Sequence, residues 1–337
     1  MAKMRAVQVP SAGADFELVE RDVPEPGPRQ VRIRVEACGI CHSDQIIKDG
    51  LFPGITYPRI PGHEISGIVD RLGPEVAGWE VGDKVGVGWH GGHCFVCRAC
   101  RKGDFVHCEN QDITGLSVDG GYAEYAIVRQ EALAHRPGEL SAAEAAPLCC
   151  AGITVFNALR NAGAQPGDTV AVLGVGGLGH LAIQFAAKQG YRVIAISGSA
   201  DKQNLARTLG AHHYIDTSRE DMAEALMKLG GAEVILGTAP DVAPLTAAVG
   251  GLGRRGRLLI LGVSAGNMEI SPVHMIMGSR SVAGWASGSA VDSEDTLNFS
   301  ALTGVRPMVE TFPLKDVAAA YQHMMDNRAR FRVVLEI

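Results

Sequence analysis

The residues with the clearest chemical meaning are four cysteines in one short segment. Cys94, Cys97, Cys100 and Cys108 occur in the run HCFVCRACRKGDFVHC, with two residues between the first pair, two between the second and seven between the last. This spacing suits four thiolates around one zinc ion in a closed tetrahedral site. We therefore predict a zinc-binding lobe at about residues 90–110.

A second set of possible zinc ligands is scattered along the chain. Cys41, His63 and Cys150 would supply two thiolates and one imidazole, leaving the fourth position on zinc open to water or a substrate oxygen. Zinc at such an open position would polarise that oxygen. Because these residues are far apart in sequence, their spacing alone leaves Cys41 and Cys150 equally compatible with ordinary buried thiols.

Three histidines lie close to the four cysteines in sequence: His90, His93 and His107. They are alternative ligands by residue type. Four thiolates already complete a tetrahedral zinc site, so we interpret these histidines as exposed loop residues.

A glycine-rich turn directly follows the apolar run TVAVL at 169–173. The turn contains Gly174, Gly176, Gly177, Leu178 and Gly179, and apolar residues then recur at helical spacing as far as a helix stop at Gly190. A strand, a glycine turn and a helix in this order are typical of a dinucleotide site, because bare backbone lets a pyrophosphate approach the helix N-terminus. The turn therefore predicts a nicotinamide dinucleotide as cofactor.

The end of the next strand should decide between the two nicotinamide cofactors. A carboxylate there would bind a ribose 2′-hydroxyl and repel a 2′-phosphate. The position holds Ser197, followed by Ser199 and Lys202, although Asp201 partly offsets the lysine charge. Hydroxyls and a cation suit a phosphate, so we predict that NADP(H) is preferred over NAD(H).

The elements that must position these groups are of two kinds. Up to about residue 135, alternating apolar residues with frequent glycine and proline predict an antiparallel, barrel-like domain. After about residue 150, short apolar runs separated by helical-length segments predict βαβ units and a parallel sheet. We place the domains at residues 1–150 and 151–288. Residues 289–337, where the βαβ pattern breaks, should end in a strand that returns to the first domain.

Bulk properties exclude several classes of function. The chain has 337 residues, which suggests two domains, and a formal net charge of -6 with no basic run that would favour nucleic acid. The most apolar stretch is interrupted by glycines and polar residues, so no membrane span is predicted. The N-terminal sequence lacks a signal-peptide pattern, and eight cysteines favour metal over disulfides. We expect a cytoplasmic protein.

Together these motifs resemble those of the zinc-containing medium-chain alcohol dehydrogenases, most closely the yeast-type and cinnamyl alcohol dehydrogenase-like branch. The resemblance covers nearly the whole chain. It rests on the four-cysteine segment, GICHSD at 39–44, PGHE at 61–64, APLCCAGITVF at 146–156, GVGGLG at 174–179 and RFRVVL at 330–335. It implies an α/β protein: a GroES-like antiparallel β-barrel catalytic domain and a Rossmann domain with a doubly wound parallel sheet, with the active site between them.

The resemblance also implies roles for single residues. It selects Cys150 rather than Cys149 as the zinc ligand, and it makes Ser43 the hydroxyl that receives the proton of the alcohol. It makes Asp44 the partner of His63 and places Glu64 near zinc. Residues at cofactor-contact positions are His42, Thr154, Val263 and Arg332. The plainer alternatives are a solvated turn residue for Asp44 and a surface ion pair for Arg332.

For function, the resemblance implies reversible hydride transfer between an alcohol and a nicotinamide cofactor, with one catalytic and one structural zinc per subunit. Phe52 and Trp89 fall where yeast-type enzymes place aromatic residues of the substrate channel, which favours primary alcohols and aldehydes, although both could be ordinary core aromatics. Relatives form dimers or tetramers, so we expect a homodimer or homotetramer. Alternatives are a polyol-type dehydrogenase acting on secondary hydroxyls, a quinone-reductase-like relative, and a non-catalytic protein that binds zinc and dinucleotide.

Overall fold

The computed structural model of this protein describes residues 2–263 and 266–337. Its strands, in chain order, are β1 (Lys3–Gln8), β2 (Glu17–Asp22), β3 (Gln30–Ile40), β4 (Ile65–Leu72), β5 (Lys84–Val87), β6 (His90–Gly92), β7 (Asp112–Ile113), β8 (Tyr125–Arg129), β9 (Leu133–His135), β10 (Thr169–Leu173), β11 (Arg192–Ser197), β12 (His213–Asp216), β13 (Ala232–Gly237), β14 (Leu252–Ile260), β15 (Ser281–Gly284), β16 (Val309–Pro313) and β17 (Arg332–Glu336). Its α-helices are α1 (Asp44–Asp49), α2 (Ala142–Pro147), α3 (Ile153–Arg160), α4 (Gly179–Lys188), α5 (Gln203–Thr208), α6 (Met222–Lys228), α7 (Val242–Ala248), α8 (Pro272–Gly278), α9 (Ala290–Thr303) and α10 (Val317–Met325).

The chain folds into two compact units. One comprises Met1–Ile153 together with Gly288–Ile337, and the other comprises Thr154–Ser287. The unit boundaries thus fall at 153/154 and 287/288, against 150/151 and 288/289 in the sequence-based division. The C-terminal segment belongs to the first unit because β17 pairs antiparallel with β3, with Val333 opposite Ile40.

The first unit is built on a seven-stranded sheet. The strand order is β16-β17-β3-β4-β5-β9, and β8 also pairs with β3. All of these pairs are antiparallel except β16 with β17. Along β3, Val31, Ile33 and Val35 are buried while Arg32 and Arg34 are not, because alternate side chains point to opposite faces. The predicted antiparallel domain is confirmed.

The second unit is built on a six-stranded parallel sheet. Its order, β12-β11-β10-β13-β14-β15, places β11 and β12 on one side of β10 and β13, β14 and β15 on the other. This order is that of a doubly wound dinucleotide-binding sheet. All five residues of β10 are buried, as expected for a strand covered by helices on both faces. The predicted Rossmann domain is confirmed.

Helix α9 is an element that the sequence pattern did not predict. The residues on its inner side include Ser293, Thr296 and Ser300, all buried, with Leu297. Because three of these four buried residues are polar, the helix has no apolar stripe at helical spacing. Hydrophobic periodicity therefore does not predict this helix. The local signal lies at the N-terminus, where Ser289 and Asp292 form a capping box, with the Ser289 N–H 2.8 Å from Asp292 Oδ2.

One continuous helical stretch, Ala142–Arg160, is long and apolar enough to cross a membrane by length and composition, but 78% of its window is buried inside the protein. Its middle, Leu148–Gly152, is a π-helical turn. Such burial is that of a core helix, in agreement with its packing against β3 and β17 through α2.

Candidate zinc centres and dinucleotide turn

Four potential metal ligands converge in the first unit because of strand pairing. Cys41 directly follows β3, and His63 and Glu64 directly precede β4. Since β3 and β4 are antiparallel and Cys38 lies opposite Ile65, the end of one strand meets the beginning of the other. Cys150 comes from the π-helical turn, a local widening that often accompanies functional sites.

The geometry of this cluster suits a metal ion. The ligand atoms of Cys41, His63, Glu64 and Cys150 all lie within 4.8 Å of one another, and the two Sγ atoms are 3.9 Å apart. Contact between these thiols lowers the pKa of Cys41 and raises that of Cys150, so the pair readily gives up one proton. A thiolate is the form that binds zinc.

The imidazole of His63 is arranged as a ligand. The ring is buried, and Nδ1 lies 3.3 Å from Asp44 Oδ1, within ion-pair distance although without hydrogen-bond geometry. Nε2 has no hydrogen-bond partner among residues 2–263 and 266–337. Burial alone would lower the pKa of His63, but the Asp44 carboxylate raises it above its usual range. A carboxylate on one ring nitrogen and a free second nitrogen form the usual arrangement of a zinc-bound histidine. The residues therefore fit zinc.

Glu64 forms a buried ion pair with Arg332. The Arg332 guanidinium donates to Glu64 Oε1 and to the carbonyl of Ile40, and both charged side chains are buried. Burial raises the pKa of Glu64, which Arg332 opposes. The alternative of a surface ion pair for Arg332 is wrong, because its side chain is only 6% exposed. A solvated turn position for Asp44 is also wrong, since Asp44 is fully buried.

The other residues proposed near the catalytic zinc differ in exposure. Ser43 Oγ lies 3.7 Å from Cys41 Sγ. The ring of Trp89 packs edge-on against the His63 ring, with centroids 5.0 Å apart. Phe52 is 46% exposed in the loop after α1, and His42 is exposed. In the second unit Thr154 is buried and Val263 is 81% exposed. Of the two aromatic residues predicted to line the substrate channel, Trp89 is thus the one seen in contact with a proposed zinc ligand, His63.

The four-cysteine segment forms a second candidate zinc centre. The sulfur atoms of Cys94, Cys97, Cys100 and Cys108 lie within 4.8 Å of one another. Backbone N–H groups point at the sulfurs: that of Cys97 lies 3.4 Å from Cys94 Sγ, and that of Cys100 lies 3.5 Å from Cys97 Sγ. The N–H groups of Val96 and Cys97 lower the pKa of Cys94 to about 6. The N–H group of Cys100 also lowers the pKa of Cys97, whereas burial raises the pKa of Cys100 to about 12. A compact set of four sulfur atoms with two stabilised thiolates fits a closed zinc site.

Two of the three neighbouring histidines contradict the prediction that they are exposed. His90 and His93 are each only 4% exposed, and His93 Nδ1 lies 3.3 Å from His90 Nε2. His93 stacks on Phe105 at 4.0 Å between centroids, so the lobe has a small aromatic core. Burial lowers the pKa of His90 to about 4. Only His107 is exposed, beside Asp104 at 2.8 Å.

The glycine-rich turn of the second unit has the geometry of a phosphate-binding turn. A Cβ atom at Gly179 would lie 1.8 Å from the carbonyl oxygen of Gly174, so helix and strand approach too closely for any other residue. At Gly176, by contrast, no heavy atom of the described residues other than its chain neighbours would lie within 4 Å of a Cβ atom. The bare backbone at Gly176 therefore leaves room for a pyrophosphate before α4, and the turn fits a dinucleotide.

The loop after β11 holds the residues predicted to discriminate cofactors. Ser197 ends the strand, and the Ser199 hydroxyl donates to the Asp201 carboxylate. The hydroxyl of Tyr214 donates to the carbonyl of Ser199 over 2.5 Å, so a residue from β12 fixes this loop. Tyr214 was not identified from the sequence, because nothing in its surroundings marks it as part of a binding loop.

Comparison with known proteins agrees with both units. Residues 27–138 match the family described as "Alcohol dehydrogenase GroES-like domain", and residues 177–302 match the family described as "Zinc-binding dehydrogenase". The protein called "Alcohol dehydrogenase patD" from Penicillium expansum is 46% identical to this chain over 96% of its residues and 94% of the relative.

Solved structures of similar chains extend this likeness to three dimensions. A structure titled "NAD-dependent alcohol dehydrogenase" has a TM-score of 0.92 and 30% identity, covering 99% of this chain and 100% of its own. A structure of CAD from Helicobacter pylori complexed with NADP(H) has a TM-score of 0.87 and 27% identity, covering 99% of this chain and 98% of its own. The two neighbours differ in the nicotinamide cofactor that their titles name.

Proposed function

Because this chain belongs to the zinc-containing medium-chain alcohol dehydrogenases, and is therefore a zinc-dependent oxidoreductase that uses a nicotinamide dinucleotide, we propose that it interconverts primary alcohols and their aldehydes. The observation that carries the proposal is the convergence of Cys41, His63 and Cys150 within 4.8 Å, with a neutralising ion pair beside them. Two thiolates and an imidazole leave one coordination position for a substrate oxygen.

The residues around the site have distinct tasks in this proposal. Zinc held there supplies Lewis acidity to the oxygen of the alcohol or aldehyde. Asp44 holds the His63 ring so that Nε2 would face the metal position. Ser43 would take up the proton of the alcohol while its own hydroxyl proton passes to the cofactor ribose or to water, so that the serine stays neutral. Glu64 is paired with Arg332 and so adds little net charge to the site. The four-cysteine lobe has no open ligand position and supports the fold.

The position of Trp89 supports a primary alcohol as substrate. Trp89 packs directly on the ligand His63, which brings its indole ring close to the place where a substrate carbon would sit. A bulky ring there leaves little room for a second substituent on the carbinol carbon. Phe52, although 46% exposed, comes from the loop after α1 and is proposed as a second residue of the channel.

For the cofactor we propose NADP(H) in preference to NAD(H). Support comes from Ser197 at the strand end in place of a carboxylate, and from Ser199 and Lys202 in the following loop. His42, Thr154, Val263 and Arg332 are proposed as further cofactor contacts. None of the eight cysteines, all within the described ranges, forms a disulfide, which suits a reducing compartment. We therefore propose a cytoplasmic location, to be tested by cell fractionation. From the family resemblance we also propose a homodimer or homotetramer, to be tested by light scattering.

The proposal is tested by assaying purified protein against matched primary and secondary alcohols and the corresponding aldehydes, with NADPH and NADH in parallel. We expect primary substrates to be preferred, and turnover to disappear after chelation. Cys41→Ser should lower kcat/KM by about 10³-fold or more in a folded protein, because the metal contributes several kcal/mol of charge stabilisation.

Other outcomes of the same assay identify the alternatives. A preference for secondary alcohols would assign the chain to polyol-type chemistry. Full activity of Cys41→Ser, or turnover that survives complete removal of zinc, would contradict the proposed site. Binding of zinc and NADP(H) without any turnover would support a non-catalytic role.

A further inference from the structure

Tyr122 contacts the candidate catalytic centre through Asp44. Its side chain is fully buried, and its hydroxyl donates a hydrogen bond to Asp44 Oδ2 over 2.8 Å. The same oxygen accepts the backbone N–H of Cys41 over 2.8 Å, while Oδ1 lies 3.3 Å from His63 Nδ1. One buried carboxylate therefore contacts two of the proposed zinc ligands, and Tyr122 supplies one of its donors.

Tyr122 also packs against the segment that carries His63. Its backbone N–H donates to the carbonyl of Pro61 over 3.1 Å. Gly62 has a φ of +97°, and a Cβ there would lie 2.5 Å from Cδ1 of the tyrosine ring. Both the conformation and the close approach require glycine at position 62. The backbone of Tyr122 is thus hydrogen-bonded to Pro61, and its ring packs against Gly62, next to His63.

We propose that Tyr122 is a positioning residue for the catalytic zinc site, an inference that rests on the proposed function. A carboxylate can rotate about its last torsion, but two donors on Oδ2 select the rotation that turns Oδ1 toward His63. With Oδ1 facing Nδ1, the imidazole presents Nε2 to the metal. The tyrosine hydroxyl therefore acts on metal binding through Asp44, without itself touching metal or substrate.

The test is Tyr122→Phe, which keeps the packed ring and removes only the hydroxyl. Zinc release from the full-length protein to an excess of chelator is followed with a zinc-sensitive dye, and the visible spectrum is recorded after replacing zinc by cobalt. We expect about tenfold faster release of the catalytic zinc, the order seen when partners of metal ligands are removed, and altered cobalt bands from the Cys41–His63–Cys150 site.

A matched control is Tyr57→Phe. The Tyr57 hydroxyl donates to the carbonyl of Ile47 over 2.6 Å, so this variant also loses a hydroxyl hydrogen bond in the same unit but none to Asp44. It should leave zinc release and the cobalt spectrum unchanged. If Tyr122→Phe behaved like Tyr57→Phe in both measurements, whatever its thermal stability, the positioning role would be overturned.

A double-mutant cycle separates action through Asp44 from a general packing effect. In an Asp44→Ala background, Tyr122→Phe should cause no further acceleration of zinc release, because the shared partner is gone. Full additivity would contradict the proposal.

A further variant covers the case in which Tyr122→Phe does not fold. In Asp44→Asn, the two donors keep the amide oxygen on their side and turn the amide NH₂ toward His63, so the catalytic metal should be lost selectively. Retention of a wild-type cobalt spectrum in Asp44→Asn would overturn the inference. Failure of the unmodified protein to bind metal at Cys41, His63 and Cys150 would instead refute the proposed function.

Discussion

At the scale of single residues, the proposed preference for NADP(H) rests on a balance of charges in the loop after β11. Ser199 donates to Asp201, and Lys202 follows directly. A 2′-phosphate would be attracted by the lysine and repelled by the aspartate. The absence of a carboxylate at Ser197 favours NADP(H), whereas Asp201 works against it.

This balance gives a paired prediction. Lys202→Ala should lower kcat/KM for NADPH by about tenfold, the loss of about 1.4 kcal/mol expected for one charge-assisted contact, with little change for NADH. Asp201→Asn should shift the ratio of kcat/KM for NADPH over NADH in the opposite direction by several-fold. Steady-state kinetics with both cofactors measures each effect. Equal losses for both cofactors in Lys202→Ala would place the lysine away from the 2′-phosphate.

The residues of the proposed catalytic site differ in whether the sequence alone could identify them. Cys41 and Cys150 became candidate ligands only when motifs elsewhere in the chain gave them a context. Their convergence depends on the pairing of β3 with β4 and on the π-helical turn, neither of which residue types alone specify. Nothing in the sequence pointed to Tyr122, because its proposed positioning role depends on a hydrogen bond to Asp44, a residue 78 positions away.

At the scale of elements, α9 is the clearest case in which structure departs from pattern. Its inner face carries buried serines and a threonine. Thr296 Oγ1 donates to the carbonyl of Asp292 over 2.7 Å, whereas Ser300 Oγ has no hydrogen-bond partner among the residues that the structure describes. With little apolar contrast between its faces, the helix depends on its cap and its burial. The hydrophobic pattern therefore could not reveal it.

The capping box predicts a measurable loss of stability. Ser289→Ala removes the hydroxyl that lies 2.9 Å from Asp292 Oδ2 and leaves helix N–H groups without their capping acceptor. The free energy of unfolding, measured by chemical denaturation, should fall by about 1 kcal/mol, with kcat unchanged.

A control in the same helix is Leu302→Ala. Because Leu302 is 84% exposed near the C-terminal end, its truncation should change stability by less than about 0.5 kcal/mol. Equal effects of the two substitutions would show that the cap contributes nothing specific.

At the scale of the whole molecule, the two proposed zinc centres should contribute to different properties. The four-cysteine lobe closes a loop whose small core includes stacked His93 and Phe105. With so little apolar burial, we expect this loop to depend on metal for its order. The proposed catalytic cluster lies at the ends of β3 and β4 in the main sheet of the first unit, so we expect it not to share this dependence.

Cys97→Ser tests that division. The variant should lose about one of two zinc equivalents per subunit and unfold at a lower temperature, because a three-thiolate site holds zinc less tightly. Zinc analysis and thermal unfolding measure the two effects, with Cys149→Ser, a buried thiol outside both clusters, as a comparison for simple cysteine loss. Undiminished zinc content and thermal stability in Cys97→Ser would show that the lobe does not need its metal.

The sequence by itself determined the features that are local in the chain. Cysteine spacing, the strand, turn and helix around Gly176, and the change from alternating to βαβ patterns are set by neighbouring residues, so they could be read without a structure. Only the tertiary structure decided which distant groups meet. Pairing of β3 with β4 brings Cys41 to His63, burial turns Arg332 toward Glu64, and packing encloses His90 and His93, which their sequence context had placed in solvent. These outcomes follow from burial and hydrogen bonding between residues far apart in the chain, which cannot be inferred from the spacing of neighbouring residues.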